Sequence, residues 1–147
     1  MDKISIERAA AILVKARREG AQLTGLPDGL KPTTIPEGHA IQDATSRLLG
    51  KLIAGFKAMN PPDAEANRGI IYGGTIHPTP ADLPAALVPQ CGVEAEVAFV
   101  FRQAYPPRAT PYTRDEVAAG MDACAAIEIV SGRFAMDAKV SNLEKLA

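Results

Sequence analysis

Val93-Glu-Ala-Glu-Val-Ala-Phe-Val-Phe101 (VEAEVAFVF) is the stretch on which the reading of the chain turns. Side chains on a strand alternate between its two faces. Val93, Ala95, Val97, Phe99 and Phe101 therefore share one face, and Glu94, Glu96, Ala98 and Val100 share the other. Two carboxylates project side by side from a strand that is otherwise wholly apolar. Like charges at adjacent same-face positions repel, and burying an unpaired carboxylate costs several kcal/mol. A cation offsets both costs. The candidates are a Lys or Arg partner, or a hard metal ion such as Mg²⁺ or Mn²⁺, which prefers carboxylate oxygens and water. The competing account is a half-exposed sheet with Glu94 or Glu96 in solvent.

A third acid has the same setting. Glu128 lies in Ala125-Ala-Ile-Glu-Ile-Val130, again among apolar residues on an expected strand. Three carboxylates from two apolar strands can form an oxygen-only site on one face of a metal, leaving positions for water or substrate. Lys57 is the matching basic oddity, alone in Leu52–Met59. A desolvated lysine can shuttle a proton or neutralise a substrate carboxylate, or it can simply extend to water from a strand end. Arg133, after Ser131-Gly132, has the same two readings: a substrate carboxylate, or a surface ion pair. The two histidines, His39 and His77, fall in no metal-binding spacing. Gly73-Gly74 reads as a turn, and no Gly-x-Ser-x-Gly elbow offers a serine nucleophile.

Outward from the strand, Pro106, Pro107 and Pro111 break the chain, and Thr113-Arg-Asp-Glu116 has capping-box spacing. A helix is expected from there to about Ala123, then a strand over Ala126–Val130 and a weakly helical tail over 137–147. Upstream, residues 60–90 hold six prolines and read mostly as loop, with a short strand at Ile70–Tyr72. Leu52–Met59 reads as a buried strand. Thr34-Ile-Pro-Glu37 has the same spacing as a capping box and opens a helix to Leu49, expected to bury Ala40, Ile41, Ala44 and Leu48. Residues 5–19 read as an amphipathic helix stopped by Gly20. Helices and strands do not alternate as βαβ units, so the class is α+β.

Composition narrows the function classes. The 147 residues are about one domain's worth of chain. Sixteen basic against seventeen acidic side chains give a net charge of -1, which leaves no electrostatic footprint for nucleic acid. The 47% apolar content excludes disorder of the whole chain. No apolar run reaches the ~20 residues of a membrane span, and the charged, short-cored N-terminus is not a signal peptide. Cys91 and Cys124 are too few for a disulfide framework and form no zinc motif. Both are expected to be reduced and buried in a cytoplasmic protein.

The assembled motifs resemble the 2-keto-4-pentenoate hydratase branch of the fumarylacetoacetate hydrolase superfamily. The matching pieces are Ala40-Ile-Gln-Asp43, Gly55-Phe-Lys57, Val93-Glu-Ala-Glu-Val-Ala-Phe99, and Ala126-Ile-Glu-Ile-Val130 followed by Arg133. They occur in family order over most of residues 35–135. The resemblance implies N-terminal helices plus part of a mixed β-roll. It implies a single hydratase-like domain over 1–147, matching only the N-terminal part of such an enzyme. It implies that Glu94, Glu96 and Glu128 bind Mg²⁺ or Mn²⁺, that Lys57 belongs to the active site, and that the substrate is a small 2-keto acid from aromatic catabolism. Arg133 is a candidate for binding the substrate. Close relatives decarboxylate 4-oxalocrotonate or hydrolyse acylpyruvates. One departure stands out: the family places Ser directly before the arginine, whereas here the order is Ser131-Gly132-Arg133. The rival expectation is a non-catalytic remnant whose exposed sheet edge and apolar surface favour a homo-oligomer or another binding partner.

Overall fold

The computed structural model describes residues 1–147 and has the α+β composition expected. Four helices and two separate two-stranded antiparallel sheets fall into two compact units. The first comprises Met1–Leu87 with Gly132–Ala147, and the second comprises Val88–Ser131.

The first unit is built on two helices, α1 (Lys3–Glu19) and α2 (Ile35–Leu49). Asp2 caps α1 by accepting the Ser5 amide at 2.7 Å, and Gly20 ends it in the left-handed region, where a side chain would be strained. Thr34 caps α2 by accepting from the Glu37 amide. The reciprocal half of the expected capping box is shifted by one residue. Glu37 reaches the Thr33 amide and hydroxyl, and its other oxygen takes the N-terminal ammonium. Ala9, Ala10 and Leu13 of α1 pack with Ile41 and Ala44 of α2, closed by Leu26, Leu30 and Phe134. The alanines remove bulk from the crossing, so the two helices can approach closely. Of the four positions expected to be buried in α2, Ile41 and Ala44 are. Ala40 is half-buried, and Leu48, on the same side of the helix as Ile41 but in its last turn, is exposed beside Val14 and Arg18 of α1.

The C-terminal segment returns to this core. Leu23 and residues 133–135 form a parallel bridge, with the Leu23 amide donating to the Arg133 carbonyl at 2.8 Å. Helix α4 (Asn142–Leu146) opens on a Ser141 capping box. Its Glu144 is buried and accepts the Leu26 and Ser141 amides at 3.0 and 3.1 Å. Burial alone would raise this carboxyl, but those hydrogen bonds outweigh it and leave it below the usual range.

Strands β1 (Ile53–Met59) and β2 (Asn67–Tyr72) pair antiparallel. Helix α2 holds this hairpin through β2. Gln42 donates to the Arg68 carbonyl, His39 accepts the Arg68 amide, and Asp43 pairs with the Arg68 guanidinium at 2.7 Å. Arg17 of α1 lies over the Tyr72 ring. The expectation of a buried β1 fails: Ile53, Phe56 and Met59 are exposed, and no third strand or helix covers them.

The second unit consists of β3 (Gly92–Phe101), helix α3 (Arg114–Ala119) and β4 (Met121–Val130). Helix α3 has the full Thr113–Glu116 capping box but ends at Ala119 rather than Ala123. The cause is β4, which begins five residues before the expected strand and pairs with β3 along its entire length. Strand pairing captures Met121–Ala123, which the sequence alone leaves in α3. Cys91 and Cys124 are both exposed, not buried. Cys91 sits in the turn before β3 at positive φ, and Cys124 sits on an uncovered sheet.

Two predictions follow from this unit. A Cβ placed on Gly120 would lie 1.9 Å from the Tyr105 hydroxyl, which is itself anchored on the Glu116 and Val117 carbonyls. Gly120→Ala is expected to cost about 1–3 kcal/mol and to accelerate hydrogen exchange in β3 and β4; unchanged protection would refute this packing. Glu116 is held down to about 2 from the usual 4.5, chiefly by the Arg108 guanidinium and then by the Thr113 amide. A carboxyl with a depressed folded value stabilises fully above its unfolded value, and that stability disappears as pH falls through the folded one. The α3 turn should therefore loosen between about pH 4.5 and about pH 2, and a Glu116→Gln protein followed by NMR should show no such acid transition.

Candidate metal centre

The antiparallel register of β3 and β4 sets the geometry. Glu94 stands directly opposite Glu128, and Glu96 stands opposite Ala126. Directly opposed residues point to the same face, and residues two apart on one strand share it as well. All three carboxylates therefore lie on one side of the sheet. One carboxylate oxygen from each lies within 4.8 Å of those of the other two. Glu94 is exposed, while Glu96 and Glu128 are half-buried.

Two cis oxygens on a Mg²⁺ ion stand about 3 Å apart, given metal–oxygen bonds of about 2.1 Å. The oxygens here lie within 4.8 Å of one another. The donor set is all oxygen, which suits a hard divalent ion and not a thiophilic one. Three donors on one side also leave room on such an ion for water or a chelating substrate. Ala126 and Ala98 flank the acids on the same face and bring no competing polar group.

Sequence spacing thus identified three side chains that the fold brings together. It overlooked that the same face continues through Cys124 and Asp122, because β4 was expected to be shorter. The signal was present: Asp122, Cys124, Ala126 and Glu128 recur with a period of two. Asp122 is occupied by an ion pair with Arg102 at the far end of the sheet.

Lys57 and Arg133 belong to the first unit. Lys57 lies on β1 opposite Gly69 and is half-buried, while its apolar neighbours Phe56 and Ala58 are exposed. A Cβ on Gly69 would sit 3.8 Å from the Lys57 Cβ, in ordinary van der Waals contact with the lysine stem. Arg133 is also half-buried. Burial, and secondarily the Arg17 charge, lower its guanidinium below the usual value. The polar cluster of Gln42, His39, Asp43 and Arg68, which carries the Ala40–Asp43 motif, serves to fix β2 on α2. Glu144 escaped the sequence reading as a buried acid, although Ser141-Asn-Leu-Glu144 has the spacing of the capping box that holds it.

No family model matches the chain, and no curated protein matches it.

Proposed function

We propose that this chain is a metal-dependent 2-keto acid hydratase of the 2-keto-4-pentenoate type, acting in the cytoplasm, with Glu94, Glu96 and Glu128 as the ligands of Mg²⁺ or Mn²⁺. The observation that carries the reading is the convergence of these three acids on one sheet face, with Glu94 opposite Glu128. The β-roll architecture of the fumarylacetoacetate hydrolase superfamily is part of the same proposal.

A divalent ion at this face supplies Lewis-acid stabilisation of the negative charge that a 2-oxo acid develops during hydration. The chain's own residues do the rest. The two strands hold three carboxylates on one face, so that binding an ion requires little reordering of the backbone. Lys57 keeps its assigned part of holding or moving a proton, and Arg133 that of binding the substrate carboxylate. Decarboxylation of 4-oxalocrotonate and hydrolysis of acylpyruvates use the same ligand set, and product analysis separates them: carbon dioxide release, carbon–carbon cleavage or hydration. The reading of the chain as a binding module draws on a different observation, the uncovered apolar side of the β3–β4 sheet.

The deciding experiment is thermal unfolding with and without Mg²⁺ or Mn²⁺. An ion that binds only the native state stabilises it by about 2.7 kcal/mol at a hundredfold excess over Kd. Glu94→Gln and Glu128→Gln should each lose most of that gain; an equal gain in both variants, or none in the parent chain, would refute the ligand set. Lys57→Ala should keep the metal-dependent gain and lose hydratase turnover by about 10²–10⁴-fold, the range typical of a general acid or base. Unchanged turnover would remove Lys57 from the chemistry.

A further inference from the structure

Helix α2 holds the free edge of β2 through one residue. Strands β1 and β2 form a two-stranded sheet, so one side of β2 meets no other strand. The Arg68 backbone spends both of its polar groups on α2. Its amide donates to His39 Nε2 at 3.2 Å, and its carbonyl accepts from Gln42 Nε2 at 2.9 Å. In an antiparallel ladder the N–H and C=O of one residue point the same way. His39 and Gln42 therefore stand where a third strand would supply an acceptor and a donor. Asp43 lies beside them on the same helix face and takes the Arg68 guanidinium at 2.7 Å.

A backbone amide can only donate. The His39 nitrogen that receives it carries a lone pair, so the ring is neutral. A protonated imidazole has a donor at each nitrogen and no acceptor. A proton on Nε2 sets two N–H groups against each other and leaves the half-buried Arg68 amide without its acceptor. The new cation has Asp43 four residues along the same face, and competes with the Arg68 guanidinium for it. The other acids on the elements packed around His39 are engaged elsewhere. Glu37 of α2 takes the Met1 ammonium and Thr33, and Glu144 of α4 takes the Leu26 and Ser141 amides. Lys145 of α4 and Lys57 of β1 are cations and offer no counter-ion.

We infer that His39 is a pH-sensitive latch on the β1–β2 hairpin, closed while its ring is neutral and released when the ring takes a proton. Two of the three α2 contacts with Arg68 weaken in one step, and the Gln42 bond remains. Tyr72 stays buried at the other end of β2, so the hairpin loosens from its Arg68 end and does not detach. That end carries Lys57, which pairs with Gly69 beside Arg68. The inference concerns the docking of the hairpin and is independent of what Lys57 does there.

The test is a pH titration of the whole chain followed by NMR. The chain has two histidines, so His77→Gln assigns both ring signals. Between about pH 8 and about pH 5, where imidazole ordinarily gains its proton, the Arg68 amide should shift with the same midpoint as the His39 ring. Its protection from hydrogen exchange, corrected for the intrinsic effect of pH, should fall about tenfold, the equivalent of one hydrogen bond. The Ala9 and Leu13 amides of α1 should stay protected. His39→Gln, whose side-chain oxygen accepts without titrating, should remove the step, and His77→Gln should keep it. An Arg68 amide that ignores the His39 midpoint overturns the inference, as does a step that survives in His39→Gln or an equal loss of protection in α1. Should His39→Gln fail to fold, agreement or disagreement of the two midpoints in the parent chain decides.

Discussion

The antiparallel pairing of β3 with β4, in the register that sets Glu94 opposite Glu128, is the constraint on which the second unit depends. A slip of one residue would turn every side chain to the opposite face and scatter the acids. The apolar alternation resists such a slip, because a shifted register would mix carboxylates into the hydrophobic side. The same pairing that gathers the acids also gathers ten apolar side chains behind them. The candidate metal face and the apolar face are therefore two consequences of one hydrogen-bond register.

The first unit has a different logic. Its stability is concentrated where α1 and α2 meet over Ala9, Ala10, Ile41 and Ala44, and the C-terminal segment closes it through Phe134 and Glu144. Glu144 joins ends of the chain that are 118 residues apart in sequence by accepting the Leu26 amide. The β1–β2 hairpin is held on this framework by polar contacts at Arg68, by the Arg17–Tyr72 stacking and by burial of Tyr72, while the apolar side chains of β1 contribute little burial. Lys57 thus rides on the more exposed strand of the hairpin, which is anchored through β2.

Local signals marked several elements well. The Thr34 and Thr113 caps, the glycine stops at Gly20 and Gly50, and the two-residue alternation of VEAEVAFVF all fall where the structure has them. Each works within a few residues of chain, so sequence alone suffices. Errors arose where a distant partner decided. Helix α3 stops early because β3 captures the residues after Gly120 as its partner strand. Leu48 is exposed because α1 covers it only in part, and Ile53, Phe56 and Met59 of β1 are exposed because no third strand covers them; nothing in their immediate sequence tells of that. Cys91 and Cys124 are exposed for the same reason.

The sequence by itself determined the α+β class, the helix caps, and which strand positions share a face, because caps and alternation follow from backbone geometry over short spans. It also marked Glu94, Glu96 and Glu128 as acids out of place among apolar neighbours. Tertiary structure alone decided that Glu94 faces Glu128 across a ladder, that the three oxygens approach within 4.8 Å, and that Lys57 and Arg133 belong to a different compact unit from the acids. Pairing register and the division of the chain into units depend on contacts between residues far apart in sequence. Those contacts come from packing and strand hydrogen bonds, which no local pattern encodes.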